Sequence, residues 1–182
     1  ILWINRLKRM ISNFLNHLLS LLGKSNKDES LIDFFKSYDF IKSRDDLKLP
    51  IYDEDGELRD EYNFYLSKYN QGLSFIFTDE SFYLNQSDKP ITGEKIYLTT
   101  IFFYNEGVEG FSQYKRGLSF EINFFMKQNQ LEKNLGEPLF TKSDENLIVR
   151  SQKWQIKEYP FTLYVSYTNQ GVIRYVSLSI PY

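Results

Sequence analysis

The sequence predicts an α+β domain, an antiparallel sheet or meander packed with short helices and preceded by an N-terminal amphipathic helix. Three observations predict it. Apolar residues recur at helical spacing over residues 2–22. From Leu49 onward the period shortens toward two, in runs rich in aromatic and β-branched side chains. Short turn signals, not long helical crossovers, separate most of those runs. With 182 residues, 42% of them hydrophobic and 18% aromatic, the chain can bury a core without staples. The expected organisation is an amphipathic helix with a polar linker over 1–29 and a single α+β domain over 30–182.

In the first segment, "LWINRLKRMISNFLNHLLSLL", Leu7, Ile11, Phe14, Leu18 and Leu22 form a stripe. Met10, Leu15 and Leu21 widen it, and Gly23 is a natural stop. Arg6, Lys8, Arg9, Asn13, Asn16 and His17 interrupt it too often for a membrane span. No small-residue cleavage site follows that would mark a secretory signal. Three readings stay open. The helix docks on its own domain or on a second copy, which would make a homo-oligomer; it lies on a membrane surface with its basic face outward, peripheral to the inner membrane; or Met10 is the natural start and residues 1–9 are upstream sequence.

After the polar stretch "GKSNKDES", Ser30 and Asp33 have the spacing of a capping box. They predict a short helix over 31–42 burying Leu31, Phe34, Phe35 and Tyr38. Strands are predicted at 62–68, 73–78, 95–104 and 118–125, with turns at Asn70-Gln71-Gly72 and Thr92-Gly93. "KQNQLEKNLGEP" then predicts a short helix that Gly136 ends in a left-handed cap, with Pro138 beyond it. A meander follows at about 146–157 around Trp154, 161–168 and 172–180, its last hairpin turned at Gly171.

The chemistry is sparse. With no cysteine, disulfides, thiolate metal sites and thiol nucleophiles are all excluded. His17 is the lone histidine and lies in the amphipathic helix, which argues against a Ser-His-Asp triad, and one histidine cannot make a two-histidine zinc site. No phosphate-binding glycine motif is present, because "LLGKSNK" has Gly-Lys-Ser without the earlier glycine or a preceding strand. A carboxylate pair serving a glycosidase is the one enzymatic reading left. The expectation is a protein that is not an enzyme and carries no cofactor.

The net charge of −2 hides an asymmetry. Residues 1–27 carry five basic groups and no acid, whereas residues 28–182 carry 17 basic and 24 acidic groups, or −7. An acidic body with few Lys or Arg among its aromatic strands argues against direct nucleic-acid binding. The acids concentrate in "YDEDGELRDE", where Asp53, Glu54, Asp55, Glu57, Asp60 and Glu61 surround Gly56. A calcium loop fails on register: with Gly56 at position six of an EF-hand, positions one and twelve are Ile51 and Tyr62. A hairpin turned at Asp55-Gly56 and an acidic face for a basic partner both stay open. With Asp45 and Asp46, the region 45–61 holds eight acids against Lys48 and Arg59.

The second half carries a resemblance. "Tyr114-Lys-Arg-Gly117-Leu118-Ser-Phe120", the "Leu131-x-x-x-Leu135-Gly136-x-Pro138" helix end, Trp154, "Leu163-x-Val165-x-Tyr167" and "Gly171-x-Ile173-x-x-Val176-x-Leu178" resemble immunity proteins encoded beside polymorphic and contact-dependent bacterial toxins. The match covers about residues 62–180. The resemblance implies a non-enzymatic cytoplasmic protein that binds one cognate protein toxin and occludes its active site. If that toxin is a nuclease with a basic active site, the six acids of 53–61 would stand in for phosphates.

Overall fold

The computed structural model describes residues 13–52, 55–57, 61–86, 88–118, 120–156 and 160–181. Helices α1 (residues 13–19), α2 (Glu29–Ser37), α3 (Glu80–Tyr83) and α4 (Gln128–Leu135) accompany seven strands. These are β1 (Asn63–Lys68), β2 (Leu73–Asp79), β3 (Ile96–Tyr104), β4 (Phe140–Ser143), β5 (Val149–Gln155), β6 (Thr162–Tyr167) and β7 (Ile173–Ser179). All seven lie in one antiparallel sheet of order β1-β2-β3-β7-β6-β5-β4, so the fold is α+β. Two meanders are joined by the last strand. The three-stranded β1-β2-β3 and the four-stranded β4-β5-β6-β7 meet where β7 pairs with β3, Ile101 opposite Leu178 and Phe103 opposite Val176.

Period-two alternation decides which side of the sheet is covered. Phe75, Phe77, Leu98, Ile101, Phe103, Trp154, Leu163, Val165, Val176 and Leu178 are buried and point to one face. Helices α1, α2 and α4 cover that face. The Phe35 ring of α2 lies 4.9 Å from Phe75 and 5.7 Å from Phe77, and Phe14 of α1 packs on Phe34 at 5.5 Å. From α4, buried Leu131 joins the same core. The described half of the apolar stripe is spent inside the body, with Phe14, Leu15, Leu18 and Leu21 all buried. Residues 1–12 of the expected helix lie outside the described residues.

Residues 23–26, read in the sequence as polar linker, run along β3. Gly23 N–H donates to Leu98 O at 2.8 Å, Leu98 N–H to Lys24 O at 2.9 Å and Asn26 N–H to Ile96 O at 2.9 Å. The Asn26 side chain is buried and saturated. Its amide donates to Leu47 O and Glu94 O, and its oxygen accepts from Ile96 N–H. The central strand β3 is therefore flanked by this segment over its first half and by β7 over its second.

Four local expectations need correction. Helix α2 begins at Glu29 and ends at Ser37, starting two residues earlier and ending five residues earlier than the 31–42 prediction. Ser30 accepts from Lys24 Nζ at 2.7 Å and no side chain caps the start. The capping box instead occurs at Ser43 and Asp46, around the 3-10 turn Arg44–Asp46. No strand forms over the described part of 118–125, because Phe120 and Glu121 take φ of 61° and 56°, which breaks the pleat. The apolar alternation there still buries Ile122 and Phe124, so packing is satisfied without a ladder. Finally, Gly136 has φ 82° and ψ −169°, an extended conformation open almost only to glycine, not the left-handed helical cap.

Candidate functional site

The acidic stretch leaves the body between two anchored points. Upstream, Leu47 and Leu49 are buried, and Leu49 N–H donates to Gly93 O at 3.2 Å. Downstream, Tyr62 O accepts from Asp79 N–H at 2.7 Å, one residue before β1. Of the six predicted contact residues, Asp55, Glu57 and Glu61 are described and all three are exposed. Asp53, Glu54 and Asp60 lie outside the described residues. Gly56 sits in a turn at φ 82°, and Tyr52 before it is a bridge residue, while residues 53, 54 and 58–60, which would form the arms of a hairpin, lie outside the described residues; the first full strand begins at Asn63.

Among the described acids of 45–61, Asp45 and Asp46 have structural roles. Asp46 accepts from the N–H groups of Ser43 and Lys42, which hold its carboxyl below the usual range. Asp45 is likewise lowered, by its bond and charge pairing with Lys48 at 2.5 Å. Exposed aromatics occur in the segments that flank the described acids. Tyr65 projects from β1 at 61% exposure, Tyr52 is 56% exposed, and Phe82 of α3 is 44% exposed with its ring 4.7 Å from Tyr62.

Helix α3 is itself held by a buried carboxylate. Asp79 accepts from Ser81 N–H at 3.0 Å, Ser81 Oγ at 2.6 Å, Thr92 N–H at 3.2 Å and Gly93 N–H at 2.9 Å. Four donors on one buried carboxylate fix both ends of the 80–93 loop to the end of β2. Next to it, Glu80 pairs with Lys95 at 2.5 Å and accepts from Tyr97 OH at 3.1 Å, which lowers the glutamate and raises the lysine.

The opposite face of the sheet carries a second feature, which the sequence reading does not single out. Its positions are short, buried hydroxylic residues, Ser74, Thr100, Ser151, Thr162, Ser166 and Ser177, set among the half-buried Tyr164 and Tyr175. Over β4 to β7 and the β6–β7 turn, a groove of about 740 Å³ is lined by Lys142, Arg150, Arg174, Tyr164, Tyr175, Ser151, Ser166, Asn169 and Gln170, among others. The described lining residues include three cations and no acid. The available signal was the run of hydroxylic residues and tyrosines on period-two strands, but these come from four strands and could be assembled only once the strand order was known.

Among the described residues no group of three or more His, Asp or Glu converges as a metal site requires, and no helix is long and apolar enough to cross a membrane.

No family model matches the chain, and no curated protein matches it. A solved structure that aligns with it is the crystal structure of YjgB, a DUF4309 family protein from Bacillus subtilis subsp. subtilis str. 168. It is 14% identical, covers 71% of this chain and 72% of that chain, and gives a TM-score of 0.36. A likeness that remote carries neither fold nor function across.

Proposed function

We propose that this chain is an immunity-type binding protein that neutralises one cognate bacterial toxin by covering its active site. The observation that supports this reading is the juxtaposition at the β1 side of the sheet. Exposed Tyr52, Tyr65 and Phe82 stand on anchored elements, and exposed Asp55, Glu57 and Glu61 lie in the adjoining loop. Aromatic anchors supply contact area at low entropic cost, while a charged surround sets association rate and partner choice. The partner surface that complements it is basic, as the active site of a nuclease would be; Asp53, Glu54 and Asp60 belong to the same proposed contact. The site binds, and chemistry is left to the toxin.

The test is co-expression with a large secreted protein from a neighbouring reading frame, if its gene lies beside this one. The chain is expected to restore growth, and a variant with Asp55→Lys, Glu57→Lys and Glu61→Lys is expected to lose that protection. In vitro the triple reversal should weaken association several-fold at low salt and little at high salt, because exposed charges are screened beyond about 10 Å at 0.1 M. Protection by the reversed variant equal to that of the parent chain would remove the acidic contact, and failure of the parent chain to protect would remove the function.

A further inference from the structure

The face of the sheet opposite the helices, away from the proposed toxin contact, holds a groove built to a different chemical specification. We infer that it is a binding site for an anionic sugar, a hexuronate unit taken either as the free acid or within an acidic polysaccharide.

Charge comes first. Lys142, Arg150 and Arg174 line one groove in a chain of net charge −2. Arg150 is held in place, donating to Asp144 Oδ2 at 2.5 Å and to Asn169 Oδ1, while Asp144 is itself fixed by the N–H groups of Asn146 and Ile148 at 2.9 and 3.0 Å. A guanidinium has five donors, and those two bonds use one each, so the fork is oriented with donors to spare. Arg174 meets Glu109 only at 3.5 Å, both half exposed, a pair that a ligand carboxylate can replace.

The rest of the lining argues for a polyhydroxylated ring over a bare anion. Phosphate or sulfate would engage donors alone. Here Ser151, Ser166, Asn169 and Gln170 offer acceptors as well as donors, and sugar hydroxyls use both. Tyr164 and Tyr175 stand 6.0 Å apart with planes 26° from parallel, two half-buried phenols on neighbouring strands. Beyond them the row continues through Phe102, 5.6 Å from Tyr175, and Tyr104, 5.7 Å from it. Neighbouring strands are about 4.8 Å apart, so this aromatic line crosses the sheet at right angles to its strands, and Tyr164 and Tyr175 are the part of it that lines the groove. These rings pack on each other, and Tyr104 is buried against Phe111 at 3.8 Å, so they offer hydroxyls and edges where intercalating bases would need open faces. The groove's 740 Å³ falls within the range of small-molecule sites.

Calorimetric titration of the full chain tests this with five probes: galacturonate, its linear trimer, maltotriose, inorganic phosphate and an oligothymidylate. The trimer is expected to bind with a Kd near or below about 1 mM, and maltotriose about tenfold or more weakly. Weaker binding of galacturonate than of the trimer would assign the polymer as ligand, and equal binding the free acid. Lys142→Ala at an exposed position and Arg174→Gln at a half-exposed one, both expected to change folding little, should each weaken uronate binding about tenfold, whereas Lys36→Ala on α2 should not. No binding of either uronate, phosphate binding as tightly, preference for the oligothymidylate, or binding unaffected by both groove substitutions would each overturn the inference.

Discussion

The indole Nε1 of Trp154 donates a hydrogen bond to the carbonyl oxygen of Gly136 at 3.0 Å. The helix end at Leu135-Gly136 and the tryptophan of the second meander, separate features in the sequence, are thus two halves of one contact between α4 and β5. Trp154→Phe should remove that bond and part of a fully buried side chain, lowering stability by about 2–3 kcal/mol in urea unfolding. Gly136→Ala meets no neighbour within 4 Å, so any loss there is backbone strain at φ 82°, of about 1–3 kcal/mol. An unchanged midpoint for Gly136→Ala would show that the helix end can relax.

Gly72 provides the opposite case. A Cβ there would lie 2.4 Å from both Ser112 O and Tyr114 N, at φ 65°. The backbone of residues 112–114 touches this glycine directly, so Gly72→Ala combines strain with overlap and should be worse than Gly136→Ala, at about 3 kcal/mol or more. Paired urea melts of the two variants read the difference.

Asp79→Asn keeps the shape of a buried carboxylate while turning one end into a donor. Four donors converge on that group, so one or more must lose its acceptor. Loss of about 2–4 kcal/mol is expected. Amide exchange should accelerate first at Thr92 and Gly93.

Glu132 bridges α4 to the sheet. It accepts from Gln128 at 2.9 Å and from buried Gln152 at 2.6 Å, and Gln152 in turn accepts from Tyr167 OH at 2.8 Å. The bonds from Gln128 and Gln152 hold the Glu132 carboxyl below its ordinary 4.5, while burial raises the Tyr167 phenol. A depressed carboxylate stabilises the fold at pH values above its unfolded pKa, and that contribution is lost as pH falls through the folded value. Glu132→Gln should therefore flatten the acid limb below about pH 4.5 in stability-versus-pH measurements, leaving the neutral region's slope unchanged. An acid limb identical to that of the parent chain would exclude this carboxylate as a contributor.

Six of the seven strands were legible, most from runs of aromatic or β-branched residues and β5 from Trp154 at the head of the second meander. Strand β4, Phe140–Ser143, was not: all four residues are exposed, so no inward residue marks its period. The 118–125 segment shows the converse, an alternating pattern whose apolar side packs while its backbone turns at Phe120 and Glu121. Hydrophobic alternation reports burial, and the ladder is a separate requirement. The acidic stretch was legible from composition alone. The groove was not, because Lys142 and Arg174 are 32 positions apart in sequence and are united only by the β4 to β7 order.

Because β7 is inserted between β3 and β6, the sheet resembles a zip with its slider at the middle. Until that final strand arrives, the two meanders are separate sheets, each with a raw edge of amide and carbonyl groups, and β3 waits with one flank half covered by residues 23–26. During synthesis everything from β1 through Ser179 must emerge before these edges are sealed, and the chain is at its most vulnerable to mispairing with its own copies in that interval.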